Sequence, residues 1–144
     1  MPNFTPAQLT AELNGDPAAL GYAVLVATGD DAGVAAILNA PTATNVFRNN
    51  IGVHEVVAAI APADFAALTV LQVAKLQLLF TGTTTIDATS ANTRALFVGI
   101  FAGMATSAAS LTALASRPGS RAEVLFGTGT VVTASDVSLA LRGR

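Results

Sequence analysis

Cysteine and tryptophan are missing from this chain of 144 residues, histidine and tyrosine occur once each, and only 11% of residues are charged. Each shortage excludes something. Without cysteine there are neither disulfides nor thiolate metal sites, which fits folding in a reducing compartment. One histidine with scattered carboxylates supplies no metal-ligand cluster, and no stretch has the alternating oxygen ligands of an EF-hand loop. The basic residues, Arg48, Lys75, Arg94, Arg117, Arg121, Arg142 and Arg144, form no stripe interleaved with aromatics. Nucleic-acid binding is therefore not expected, because phosphate neutralisation dominates that affinity. Net charge is −2. The opening Met1-Pro2-Asn3-Phe4 lacks the basic and apolar regions of a signal peptide.

Catalytic signatures are equally scarce. No G-x-S-x-G elbow occurs. Gly127-Thr128-Gly129-Thr130 resembles part of a phosphate-cradling loop, but no lysine follows it, so a turn is the simpler reading. An enzyme would have to use His54 with a carboxylate brought in from elsewhere, since adjacent Glu55 points another way on a helix. Asp30-Asp31, the only carboxylate pair, suits a helix start, where carboxylates accept free backbone N–H groups and favour the positive dipole end. Asp16, Asp64 and Asp136 read the same way. No catalytic residue, cofactor, metal or small-molecule substrate is expected.

Apolar residues are plentiful. They make up 52% of the chain, and mean hydropathy is +0.60. Ordinary soluble domains carry roughly 25% charged residues, and a surface this poor in charge is adhesive. Either an alanine-rich composition or a surface largely covered by partners accounts for it. The uncharged run from Ala95 to Ser116, with Gly99 and Gly103 inside it, has a length that can span a bilayer. Its serines and threonines transfer poorly to hydrocarbon, and Thr106-Ser107 reads as an N-cap dividing it. A membrane role is therefore a minor alternative.

Turn and cap signals recur throughout. Thr5-Pro6-Ala7-Gln8 has the form of a capping box with proline at the first helical position. Helical spacing follows over 31–39, 53–60 and 69–80, then from Ser90 through Phe101, over 107–115, from Ser120 to Phe126, and from Thr133 to Arg142. Thr81 to Thr89 reads as a loop, and Val46-Phe47-Arg48 as at most a short extended piece. The expected fold is all-α: one domain, 1–144, of about seven or eight short helices with little or no β-structure.

Seven residues stand out as structural or interaction candidates: Tyr22, Phe47, Arg48, Ser120, Arg121, Glu123 and Phe126. Tyr22, set among apolar residues, should bury its ring and find its hydroxyl a partner. Phe47 and Arg48 stand in the least regular segment. Glu123 lies three residues past Ser120, as a capping box requires. Arg121 opposes the dipole of that helix, which points either to a specific partner or to a solvated side chain. The Ser120 helix should face Val124, Leu125 and Phe126 inward. It should hold the C-terminal helix through Val137, Leu139 and Leu141.

The succession Asp16-Pro17, Leu20-Gly21-Tyr22, Leu38-Asn39-Ala40, Glu55-Val56, Ala59-Ile60, Ser120-Arg121-Ala122-Glu123-Val124-Leu125-Phe126-Gly127, Val132-Thr133 and Asp136-Val137 resembles a group of small, mostly uncharacterised proteins encoded among the structural genes of tailed bacteriophages. The resemblance covers most of the chain, and the Ser120–Gly127 stretch is its most specific part. It implies a virion accessory protein at the tail, the tail-fibre base or the head–tail junction, located in the host cytoplasm before assembly. Other virion proteins and further copies of the chain would be its partners. Capsid decoration is the neighbouring alternative. The resemblance implies no catalytic residues.

Overall fold

The computed structural model describes residues 2–143. Met1, part of the opening stretch read above, and Arg144, one of the scattered basic residues, lie outside the described residues. In chain order the elements begin with α1 (Pro6–Gly15), α2 (Tyr22–Thr28), α3 (Asp31–Asn39), β1 (Pro41–Phe47) and β2 (Ile51–Gly52). Next come α4 (Val53–Ala59), α5 (Pro62–Ala66), α6 (Val70–Phe80), β3 (Thr85–Ile86) and α7 (Ala91–Ile100). The chain ends with α8 (Ala105–Ala115), β4 (Ser116–Ser120), α9 (Arg121–Phe126) and α10 (Ala134–Arg142).

The all-α expectation is overturned. The fold is mixed, 60% helix and 11% strand, with ten helices and two small antiparallel sheets among the described residues. β1 pairs with β4, and β2 with β3 in the register Ile51↔Ile86 and Gly52↔Thr85. Pro-Thr-Ala-Thr-Asn-Val-Phe suits an extended chain, because proline resists helix continuation and β-branched residues favour the pleat. What makes β1 a strand is its partner β4, which takes in Arg117-Pro118-Gly119 directly after the helix expected over 107–115. The helix count also rises, partly because Pro62–Ala66 forms a short helix, α5.

The chain forms two compact units. The first comprises the chain up to Asn45 and again from Pro118; the second runs over Val46–Arg117. In the first unit, α1 and α3 pack against α10, while α2 and α9 pack against α3. Leu9, Tyr22, Val34, Leu38, Ala122, Val132 and Val137 form its centre. The Thr10 hydroxyl donates to the Ala140 carbonyl (2.7 Å), joining α1 to α10. The Asn39 amide acts as a substitute strand partner for Val132, donating to its carbonyl (2.7 Å) and accepting from its N–H (3.0 Å). That clamp accounts for the extended course there without a sheet.

In the second unit α4 packs on α8 and α6 on α7. One apolar cluster centres on Ile51, Val56 and Ile86, another on Ile60, Leu76, Ile100 and Phe101. Phe80, Phe97 and Leu111 pack against both. α8 starts earlier than expected, and Thr106-Ser107 does not cap it. Ser107 is buried inside the helix, where its hydroxyl accepts from the Ala61 N–H (2.9 Å). Its own N–H donates to Asp64 Oδ2 (3.0 Å). Asp64 thus caps α8 from across space, which a local reading of Asp64 misses.

Candidate functional site

The first unit holds a buried polar node. Glu12 lies on the same face of α1 as Leu9 and Leu13, so the burial of those leucines takes it inside. Its carboxylate receives Arg121 Nε on Oε1 (2.8 Å) and Arg121 Nη2 on Oε2 (2.9 Å), a two-pronged charge-assisted pair. The Tyr22 hydroxyl donates to Oε1 at 3.3 Å. Donation of hydrogen bonds to Glu12 raises the Arg121 guanidinium above its ordinary value. Burial, and then the negative charge of Glu12, pushes the Tyr22 phenol well above its ordinary range. Arg121 therefore has its partner despite opposing the dipole of α9.

Ser120 and Glu123 form the anticipated capping box. The Glu123 N–H donates to Ser120 Oγ, and the Ser120 N–H donates to Glu123 Oε2, both at 3.1 Å. Glu123 Oε1 also accepts the Gly129 N–H (2.8 Å), so the box fastens the following loop. Gly127 ends α9 at φ 102, ψ 154, a conformation open to glycine alone. Phe126 is half-buried, its ring 4.8 Å from that of Phe4. The inward face of α9 differs from expectation: Ala122 and Glu123 are buried, whereas Val124 and Leu125 are exposed. On α10, Val137 is buried and Leu139 exposed. The cause is that α9 packs on α3, which turns Val124 and Leu125 outward.

Both acidic turns of this unit have structural work. Asp30 caps α3 by accepting the Gly33 N–H (2.9 Å). Asp31 pairs with Arg142 of α10. Asp16 closes α1 at φ 37 and accepts from the N–H groups of Leu20 (2.7 Å) and Gly21 (2.8 Å). Desolvation pushes its carboxyl up, but backbone donors at Gly21, Leu20 and Tyr22 outweigh it and hold the group below its ordinary value.

The second unit contains a cavity of about 320 Å³. Ile51, Val56, Ile86, Phe97, Phe101, Leu111 and Leu114 supply an almost wholly apolar wall, and Phe47 and Arg94 belong to the lining. The Arg94 guanidinium sits over the Phe47 ring, 3.9 Å from its centroid. Its Nη1 donates to the carbonyls of Ala88 (2.6 Å) and Thr89 (2.8 Å). Among the described residues no carboxylate pairs with it.

Family models, characterised proteins and solved structures offer no match to this chain.

Arg48, next to Phe47, has a different task. Its guanidinium grips Glu55 through three contacts of 3.1–3.2 Å. Its backbone N–H donates to Ala115 (2.9 Å), and its carbonyl accepts from Ala88 (2.8 Å). Glu55 also accepts the Gly52 N–H (2.7 Å) at the start of α4. That bond first, and Arg48 after it, holds the Glu55 carboxyl below its ordinary value. His54 is exposed on α4 and does not line the cavity.

The seven candidates thus fall into separate groups. Tyr22 and Arg121 meet on Glu12, Ser120 and Glu123 meet each other, and Phe126 meets Phe4. Phe47 belongs to the cavity and Arg48 to the junction of β1, α4 and the end of α8. Sequence reasoning missed Glu12 and Arg94. Glu12 had a legible signal, an acid on the Leu9–Leu13 stripe. Arg94 had none, because its role depends on Phe47, far away in the chain. No helix of the described residues is long and apolar enough to cross a membrane. The run 95–116 is divided between α7, α8 and the first residue of β4.

Proposed function

We propose that this protein is an accessory structural subunit of a tailed-phage virion, acting through protein–protein contacts at the tail, the fibre base or the head–tail junction. The observation that carries the reading is the outward placement of large apolar side chains. On α6, Val70 is 88% and Leu78 77% exposed, and on α7 Val98 is 73% exposed. Leu71, Ala74 and Leu78 follow one another at helical spacing on the solvent side of α6, with Lys75 the only charge of that helix. An amphipathic helix normally turns such a stripe inward. α6 has a second apolar set, with Leu76 buried and Leu79 half-buried, so it carries one apolar face for its own core and another that its own unit does not cover.

A subunit held by neighbours in a symmetric particle needs only modest contacts, because repetition makes them additive. The resemblance to phage structural proteins supplies the particle. It is compatible with the mechanics above, since its most specific stretch, Ser120–Gly127, is a capping box and a glycine stop that any use of the fold would retain. The test is mass spectrometry of purified particles. The chain should be present in intact virions, and Leu71→Ser/Leu78→Ser should keep its melting temperature while losing incorporation. Absence of the native chain from intact particles, or full incorporation of that variant, refutes the reading. Copy number per particle separates a tail position from capsid decoration.

A further inference from the structure

From the cavity of the second unit we infer a binding site for one small amphipathic anion, a medium-chain carboxylate or a molecule of that shape and charge. This inference is independent of the virion reading. The wall is apolar: Phe97, Phe101 and Leu111 contribute to it, and Phe47 and Arg94 belong to the same lining. Ligand pockets of about 300–1,000 Å³ have this character, an apolar body with few, placed polar groups. Volume sets the size of the guest. A dry apolar cavity of about 150 Å³ takes up benzene. The 320 Å³ here is about twice that, room for roughly ten carbon atoms.

Charge sets its sign. Arg94 is fixed by two carbonyls through Nη1 and by the Phe47 face. Its Nε and Nη2 donors take no acceptor among the described residues. A guanidinium held in place with donors to spare, beside an apolar wall, is preorganised for a carboxylate. A cationic guest is repelled by it, and a neutral guest gains only a weaker hydrogen bond than a carboxylate does.

Calorimetric titration with decanoate, kept below micelle formation, tests the site, with decanol as the uncharged control. Decanoate should bind saturably at one per chain. Arg94→Gln should weaken decanoate about tenfold or more and leave decanol within about twofold, the loss expected for one charge-assisted contact. Ala108→Leu, at a lining position on α8, should abolish binding of both while circular dichroism remains native. Thr112→Leu on the same helix serves as the plug if the first variant unfolds. Absence of saturable decanoate binding overturns the site. Equal loss of decanoate and decanol in Arg94→Gln overturns the anion preference, and undiminished binding in a folded plug variant overturns the location.

Discussion

Removing Arg121 should be the most damaging single polar substitution in the first unit. The reason is an asymmetry in burial: the Glu12 side chain is 5% exposed, that of Arg121 18%. Arg121→Met leaves the Glu12 carboxyl group inside the unit with one neutral donor, the Tyr22 hydroxyl. Breaking a buried pair from one side costs about 3–5 kcal/mol. Glu12→Leu leaves the guanidinium instead, which water can partly reach, and strands the Tyr22 hydroxyl; about 1–3 kcal/mol is expected from the unpaired groups. The double variant removes both charges and keeps only the cost of the stranded hydroxyl, so it should be more stable than Arg121→Met alone. The resulting coupling is about 2 kcal/mol or more, at the upper end for residues in contact. Urea unfolding followed by tyrosine fluorescence reads it directly, because Tyr22 is the only tyrosine and tryptophan is absent. Equal effects of the two single variants, or a double variant equal to their sum, would refute the buried-pair reasoning.

Phe126→Ala should cost about 2 kcal/mol, not the roughly 3–5 of a fully buried ring, since Phe126 is only half-buried against Phe4; Ser120→Ala should cost about 1 kcal/mol as a lost cap, both read as shifts in denaturation midpoint. Glu55 and Asp16 are held below their ordinary values of 4.5 and 3.8, so the unfolded chain binds protons first as pH falls. Their contribution is complete above those values and is lost as pH drops through the lower folded ones; a melting temperature unchanged under acidification would contradict it. Tyr22 is shifted the other way, so the unfolded chain loses its proton first once pH passes its ordinary value of 10.0. Stability should fall on that side, with the near-ultraviolet tyrosinate signal rising only as the unit unfolds; prior tyrosinate formation in a folded chain would sink this. Finally, the first unit is interrupted by a continuous second one, and the Thr42 hydroxyl donates to the Gly119 carbonyl (2.7 Å) where the chain leaves and returns. A chain joining Asn45 to Pro118 through a short turn should fold to a helical state with a cooperative melt, and a non-cooperative melt would deny it that independence.

Local chemistry was legible in the amino-acid sequence because it acts over three or four residues. The capping boxes at Thr5 and Ser120 formed where their spacing placed them, and the helices read over 69–80 and from Thr133 to Arg142 formed behind boxes of the same kind at Thr69 and Thr133. α3, from Asp31 to Asn39, and the stop at Gly127 follow from the same short-range rules. The demand of Tyr22 for a hydroxyl partner was legible too, though not the identity of that partner. Everything that depends on a distant segment was decided only by the tertiary structure. β1 is a strand because β4 pairs with it, and Asp64 caps α8 because α5 lies beside that helix's first turn. Val124 and Leu125 face solvent because α9 packs on α3. Arg94 lies over Phe47 although the two are far apart in the chain. A hydrogen bond to a near neighbour leaves its mark in residue spacing, whereas a contact across the fold leaves none in either partner's local sequence.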